Sequence, residues 1–314
     1  MEFLDVLIVG GGPAGLSAAL VLGRARRRIV VVDAGRPRNA AARTMHGYLT
    51  RDGINPNELL EMGRREISTY GVDVLHDEVT HVERLDCNDR DVAMMFEATT
   101  KEGRRFRARK VLFATGICDD VPDLPGAAEC YGASMHHCPY CDGWEHRDRR
   151  LLAFSTEASK AVGLSLLLRG WSERVTALTH GAEASAEDQS RAEALGVEVI
   201  ETPVERLIHE GSSLRGVVFQ GGRSLEADAL FFNTGQAQTC DLPLKLGCRM
   251  EDEEHLATSD KQRSQVPGVF LAGDADGDVQ FVIVAAAEGA TAAVAINKEL
   301  QEEDRGEAST GSGR

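Results

Sequence analysis

Apolar and polar positions fall into blocks that repeat along the chain. Leu4–Val9 is a continuous apolar run, the pattern of a strand buried on both faces. Gly10-Gly11-Gly12-Pro13-Ala14-Gly15 follows, then apolar residues at helical spacing over Leu16–Arg26. A second apolar run, Ile29–Val32, ends at Asp33. Strand, glycine turn, helix and strand together make a βαβ unit. Two more strand-to-turn signals come much later. Lys110–Ala114 runs into Thr115-Gly116, and Val269–Ala272 runs into Gly273-Asp274 and on to a helix over Phe281–Leu300. Between them lies a second block of the same kind. Leu151–Phe154 and Arg174–Thr179 read as strands around a helix at Ala158–Arg169, and Val197–Glu201 and Ala229–Asn233 add strands.

The pattern predicts an α/β fold of two Rossmann-like, three-layer dinucleotide-binding domains, the second inserted in the first. The expected boundaries are 1–118 and 240–300 for the first domain and 119–239 for the insert, entered through Pro122, Pro125 and Gly126. A polar, Gly/Ser-rich tail, expected to be disordered, covers 301–314. At about 150 residues per domain, 314 residues agree with two domains. The 35 basic and 50 acidic residues give a net charge of −15, which disfavours nucleic acid and anionic lipid as partners. No apolar stretch reaches the length of a membrane span, and Phe281–Ile296, which contains Glu288, reads as a buried helix. Glu2 and Asp5 stand where a signal peptide would carry basic residues, so a cytoplasmic protein is expected.

Gly10-x-Gly12-x-x-Gly15 sits between a strand and a helix. The first glycine permits the tight turn, the second lets a pyrophosphate approach the backbone, and the third lets helix and strand pack closely. Asp33 stands where an acid bonds a ribose hydroxyl. The run Gly268–Asp274 resembles the second FAD motif of two-dinucleotide flavoproteins, in which the aspartate (here Asp274) bonds the ribityl chain. Ala114-Thr115-Gly116 resembles their intervening turn. Three motifs in this order favour FAD over NAD.

The seven cysteines are Cys87, Cys118, Cys130, Cys138, Cys141, Cys240 and Cys248. An odd count without a signal peptide argues against a secreted disulfide framework. Only Cys138-Pro139-Tyr140-Cys141 forms a motif, able to close a small disulfide ring. Zinc is the minor reading: His136, His137, Cys138 and Cys141 would have to serve as ligands, with no second CxxC and no spaced His pair, so no metal is expected. Two merely buried thiols are a further minor reading. The other cysteines are read as packing residues.

With Gly10–Gly15, Ala114–Gly116, the CxxC-Asp-Gly run at 138–143 and Gly268–Asp274 in this order, the chain resembles the low-molecular-weight thioredoxin reductases over about residues 4–300. The resemblance implies a homodimer with one FAD per subunit. It makes Cys141 the sulfur facing the flavin, Cys138 the sulfur that exchanges with substrate, and Asp142 the acid/base beside them. Gln280, Phe281 and Val282 fall at the flavin-contacting helix start, and Asn39 and His46 in the loop lining the flavin.

The insert departs from that family. Its GxGxxA turn for NADPH is replaced by Ser155, Glu157 and Lys160, and no GxG occurs between Gly143 and Gly216. Glu157 would face the cofactor's pyrophosphate. Two unit charges about 4 Å apart at an effective dielectric of about 20 repel by about 4 kcal/mol. The arginine pair for the 2′-phosphate is replaced by Thr179-His180-Gly181. Weak or absent NADPH binding is therefore expected. In this the chain resembles the NADPH-independent dithiol oxidases that close disulfides in antibiotics and other natural products of the holomycin, gliotoxin and romidepsin type. The implied partners are a small-molecule dithiol and O2, with H2O2 as product. Some of those relatives carry His after the second Cys, whereas Asp142 is reductase-like, so a disulfide reductase fed by ferredoxin, another flavoprotein or weakly by NADPH stays open, as does a flavin-bound sensor without turnover. Asp142, His136 and His137 are all candidates to move the thiol protons. Tyr140 and Trp144 are candidates to contact substrate, Trp144 equally a core residue. Arg24, Arg26, Arg27 and Arg28 are read as a solvated helix end, Arg104–Lys110 as an exposed hairpin edge and Glu251–Glu254 as a loop.

Overall fold

The computed structural model describes residues 2–85, 95–252, 254–277 and 279–306. Cys87, residue 253 of the Glu251–Glu254 loop, and residues 307–314 of the expected tail lie outside the described residues. The chain divides into two compact units, Met1–Arg38 with Asn57–Cys118 and Ala237–Arg314, and Asn39–Pro56 with Asp119–Gln236.

The first unit opens with β1 (Glu2–Val9), α1 (Pro13–Arg24) and β2 (Ile29–Asp33). After α2 (Pro56–Ser68) come β3 (Val74–His76), β4 (Val79–Leu85), β5 (Met95–Thr100) and β6 (Arg105–Phe113). Among the described residues the sheet order is β3-β2-β1-β6-β5-β4, and the late strand Val269–Leu271 also pairs with β6. β1 runs parallel to β2 and β6, with Leu7 opposite both Val30 and Val111. Because side chains alternate across a strand, β1 feeds two cores. Val6 and Ile8 pack with Leu16, Ala18 and Leu22 of α1 and with Ala292 and Ile296 of the last helix. Leu4, Leu7 and Val9 pack with Phe96, Phe106 and Val82 of the antiparallel strands. A buried Leu, Ile or Phe stabilises by roughly 1.5–3 kcal/mol, so both faces of β1 hold the sheet between a helical layer and a β layer.

The second unit repeats the plan. Its β7 (Met135–His136), β8 (Leu151–Phe154), β9 (Val175–Leu178), β10 (Glu198–Ile200) and a strand at Ala229–Phe232 form a parallel sheet. Leu151 and Phe231 pack with Leu164 and Leu168 of the helix Ala158–Leu168 on one face. Phe154 and Leu230 pack on the other with Leu207, Val217 and Phe219 of an antiparallel three-stranded sheet.

Four sequence expectations change. Residues 39–56 belong to the second compact unit, because Arg43 donates to Ser212 Oγ (3.1 Å) and Ala41 packs against Gly132. Arg104–Lys110 is an exposed hairpin only at Arg104 and Arg105: β6 is interior, and Lys110 is buried with its ammonium 2.6 Å from Glu303 and 3.1 Å from Glu299. The last helix runs from Val282 to Asp304 instead of stopping at Leu300, because its final turn is held by Lys110, Arg109 and Arg27. Arg27 is therefore not solvated: it pairs with Asp304 and donates to Asn297.

Candidate active site

In the first unit the glycine turn closes by near contact. Gly10 has φ +106°, and a side chain there would meet the Ala114 carbonyl oxygen at 2.2 Å; one on Gly15 would meet the Gly10 carbonyl at 1.9 Å. Ala114 is held in turn by its amide, which donates to Val9 O (2.8 Å). In front of Gly12 there is open space, with nothing within 4 Å of where a methyl would stand, and α1 starts there with no side-chain cap. An uncapped start on a 12-residue helix, beneath an open glycine, suits a pyrophosphate.

Asp33 ends β2 directly beside Gly11, and Arg64 Nη2 donates to its Oδ2 (3.0 Å). Gly273 lies against Ala14, and its amide donates to the buried Glu288 carboxylate (2.6 Å). Glu288 thus fixes the Gly273-Asp274 turn, which explains an acid inside an apolar helix. Asp274 accepts from Arg38 Nη1 (2.9 Å), which also donates to Gln280 Oε1 (2.7 Å). Phe281 caps the last helix and Val282 begins it. Gly10, Gly11, Gly12, Pro13, Ala14, Gly15, Asp33, Ala114, Asp274 and Gln280 therefore assemble in one unit. Thr115 and Gly116 continue from Ala114, their carbonyls accepting from Thr239 Oγ1. The residues present fit an FAD: an open glycine cradle, a carboxylate at the ribose position and a second at Asp274. Arg38 and Arg64 were missed; a lone arginine after a strand or on a helix carries no sequence signal.

Asn39 and His46 lie in the second compact unit. His46 stands between Asp52 (3.4 Å) and Glu145 (3.6 Å).

The second unit holds the cysteines. Cys138 and Cys141 are joined in a disulfide, the four-residue helix Pro139–Asp142 spanning the ring. Proline at the first helical position presets the turn. The Cys141 amide donates to Cys138 Sγ (3.2 Å), which favours negative charge on that sulfur when the bond opens. Asp142 faces His136, Oδ1 to Nδ1 3.3 Å, and His136 Nε2 lies 3.0 Å from Nε2 of the buried His146. Burial, then His136, pushes His146 down to about 4. His137 points to a different acid, its Nδ1 3.4 Å from Asp119. Tyr140 and Trp144 are 64% and 65% exposed, so Trp144 is not core. His146 was missed because it lies ten residues from His136 with no regular spacing between them. Among the described residues no group of three or more His, Cys, Asp or Glu converges as a metal site.

The turn after β8 contrasts with the first glycine turn. Ser155 is fully buried; its hydroxyl donates to Asn233 O (2.6 Å) and accepts from the Glu157 amide (3.1 Å). Glu157 occupies the cap of the following helix and pairs with Lys160 (2.7 Å). That pairing compensates part of the charge that Glu157 brings to the helix start. His180, in the place of the arginine pair, accepts from the Val204 amide through Nδ1 (3.1 Å).

The family described as pyridine nucleotide-disulphide oxidoreductase matches residues 4–289. A probable thioredoxin reductase of Arthroderma benhamiae is 32% identical, over 98% of this chain and 82% of that protein. The crystal structure of HlmI is 39% identical and superimposes with a TM-score of 0.90, covering 96% of this chain and 94% of that one. The putative thioredoxin reductase TrxB of Bacillus anthracis is 32% identical with a TM-score of 0.89, covering 96% and 99%. No described helix is long and apolar enough to cross a membrane.

Proposed function

The chain belongs to the pyridine nucleotide-disulphide oxidoreductase family and is a flavoprotein thiol–disulfide oxidoreductase; from that premise we propose that it oxidises a small-molecule dithiol to a disulfide, with FAD as cofactor, dioxygen as terminal acceptor and no requirement for NADPH. The observation that carries the reading is the contrast between the two turns. One has open space in front of Gly12; at the other no glycine remains, the Ser155 hydroxyl is tied to Asn233 O and Glu157 stands at the helix start. A disulfide remains in a unit whose dinucleotide turn has no glycine and carries a carboxylate at the helix start.

Gly10–Gly15, Asp33, Ala114–Gly116, Asp274 and Gln280 would hold FAD, with Asn39, His46, Phe281 and Val282 added by resemblance. When bound, it supplies a two-electron acceptor between the enzyme dithiol and dioxygen. A substrate thiolate attacks Cys138 Sγ, the Cys138–Cys141 bond breaks, and Cys141 leaves as thiolate. The second substrate thiol then attacks its partner sulfur in the mixed disulfide and expels Cys138, whose departure is eased by the Cys141 amide. Asp142 takes up a substrate thiol proton. Overall one dithiol and one O2 give one disulfide and one H2O2. The same reading carries a cytoplasmic homodimer working on a natural-product dithiol. Asp142 after the second cysteine favours a second reading, a disulfide reductase fed by a donor other than NADPH.

The purified protein, incubated in air with a panel of dithiols, is expected to release peroxide at a rate that added NADPH leaves unchanged. Cys138→Ser and Cys141→Ser are expected to abolish release while leaving FAD bound. Peroxide at background with every dithiol, or turnover surviving in both variants, contradicts the proposal.

A further inference from the structure

Behind the disulfide, two buried imidazoles meet nitrogen to nitrogen. His136 Nε2 and His146 Nε2 are 3.0 Å apart, both side chains are buried, and Phe231 flanks both rings at 5.5 and 6.1 Å. On its other side His136 faces Asp142 through Nδ1 at 3.3 Å. His146 Nδ1 is buried and has no hydrogen-bond partner among the described residues.

The contact has room for one proton. If both Nε2 atoms carried hydrogen, the hydrogens would clash; if neither did, two lone pairs would face each other. The Asp142 carboxylate, 3.3 Å from Nδ1, favours a neutral His136 that carries its hydrogen on that nitrogen, so its Nε2 is a lone pair and His146 supplies the proton. His146 is then the Nε2–H tautomer, and its remaining lone pair is the unpartnered Nδ1. The orphaned Nδ1 agrees with that assignment, since a buried acceptor left without a partner is less rare than a buried N–H left without one.

We propose that His146 is a positioning residue: by donating its Nε2–H to His136 it fixes His136 as the neutral Nδ1–H tautomer and thereby keeps Asp142 an ionised, oriented acceptor for the thiol proton at the Cys138–Cys141 pair. The inference rests on the role given to Asp142 above but not on oxygen, NADPH or the direction of electron flow. An imidazolium at His136 would weaken Asp142 as a base, and the neutral pair avoids it. The charged and titratable groups bearing on His146 are His136, Arg149, Asp142 and Asp228, and Asp228 is itself paired with Arg150. Their balance together with burial keeps His146 neutral at physiological pH. The proton moves in one step: the S–H bond of the attacking thiol breaks, an O–H bond forms on Asp142, and the thiolate carries the electron pair to the disulfide.

The first test uses the wild-type holoenzyme, labelled with nitrogen-15 histidine, and reads tautomers by NMR near neutral pH. Protonated Nδ1 on His136 and protonated Nε2 on His146 are expected; protonated Nδ1 on His146 overturns the proposal. The second test reads only exchange between the enzyme disulfide and dithiothreitol, in a rapid-quench experiment. His146→Phe is expected to slow exchange by about tenfold or more near pH 7 and to approach the wild type near pH 9, where the attacking thiol ionises unaided. His146→Gln, which restores a donor, is expected to stay close to the wild type throughout. An unchanged pH profile in His146→Phe, or equal slowing in both variants at every pH, overturns the proposal. Failure of the oxidase reading would leave both measurements intact.

Discussion

His146 shows how one side chain's surroundings become a property of the whole protein. Its ordinary value is about 6.5, and burial, then His136, then Arg149, brings it down to about 4. Between those values the unfolded chain binds a proton that the folded chain refuses. The stability owed to a neutral His146 is therefore complete above pH about 6.5 and lost as pH falls towards 4, by on the order of 2–3 kcal/mol. Urea midpoints at pH 7.5 and 4.5 are expected to differ more for the wild type than for His146→Phe; equal differences contradict the assignment. Such a residue is hard to read from a string of letters. The CxxC and the glycines are local patterns with chemistry attached to their spacing, whereas His146 meets His136 only because β7 and the segment after the disulfide fold together. Glu288 was visible as an acid in an apolar helix, but its partner, the Gly273 amide, became evident only in the fold.

Among elements, the turn after β1 and the turn after β8 distinguish the two units. Gly10 is required twice, by its positive φ and by the Ala114 carbonyl 2.2 Å from where a methyl would stand. Gly10→Ala is expected to cost about 2–4 kcal/mol in unfolding free energy and to yield protein with little bound FAD; full flavin content and wild-type melting would refute the cradle. Sequence periodicity read β1, α1, β2 and the helix after β8 to within a few residues, since a long apolar run or a helical repeat is a local signal. It failed at Arg104–Lys110, where a string of charges looks like an edge. There Arg109 and Lys110 are neutralised by a helix from the far end of the chain, a long-range pairing with no local trace, while Arg105 and Arg107 pair with Glu97 on the neighbouring strand. Removing Lys110, buried against Glu299 and Glu303, is expected to lower stability by about 2–4 kcal/mol. Hydrogen exchange in the last turn of the terminal helix is expected to speed up in Lys110→Ala. Exchange and stability equal to the wild type would show that the ion pairs hold nothing.

At the scale of the whole molecule, two units share a plan, parallel strands between a helical layer and an antiparallel β layer, and differ in the residues of the turns after β1 and β8. The order of motifs made the duplication and the insertion legible from sequence. The placement of residues 39–56 was not, because it depends on side chains such as Arg43 and Ala41 finding partners far downstream, at Ser212 and Gly132. The central claim is that electrons enter this flavoprotein through sulfur and not from a nicotinamide. An anaerobic titration of the purified, flavin-loaded protein, followed by the visible flavin absorbance, tests it directly. A small dithiol is expected to bleach the flavin while excess NADPH leaves it oxidised; rapid bleaching by stoichiometric NADPH would contradict the account.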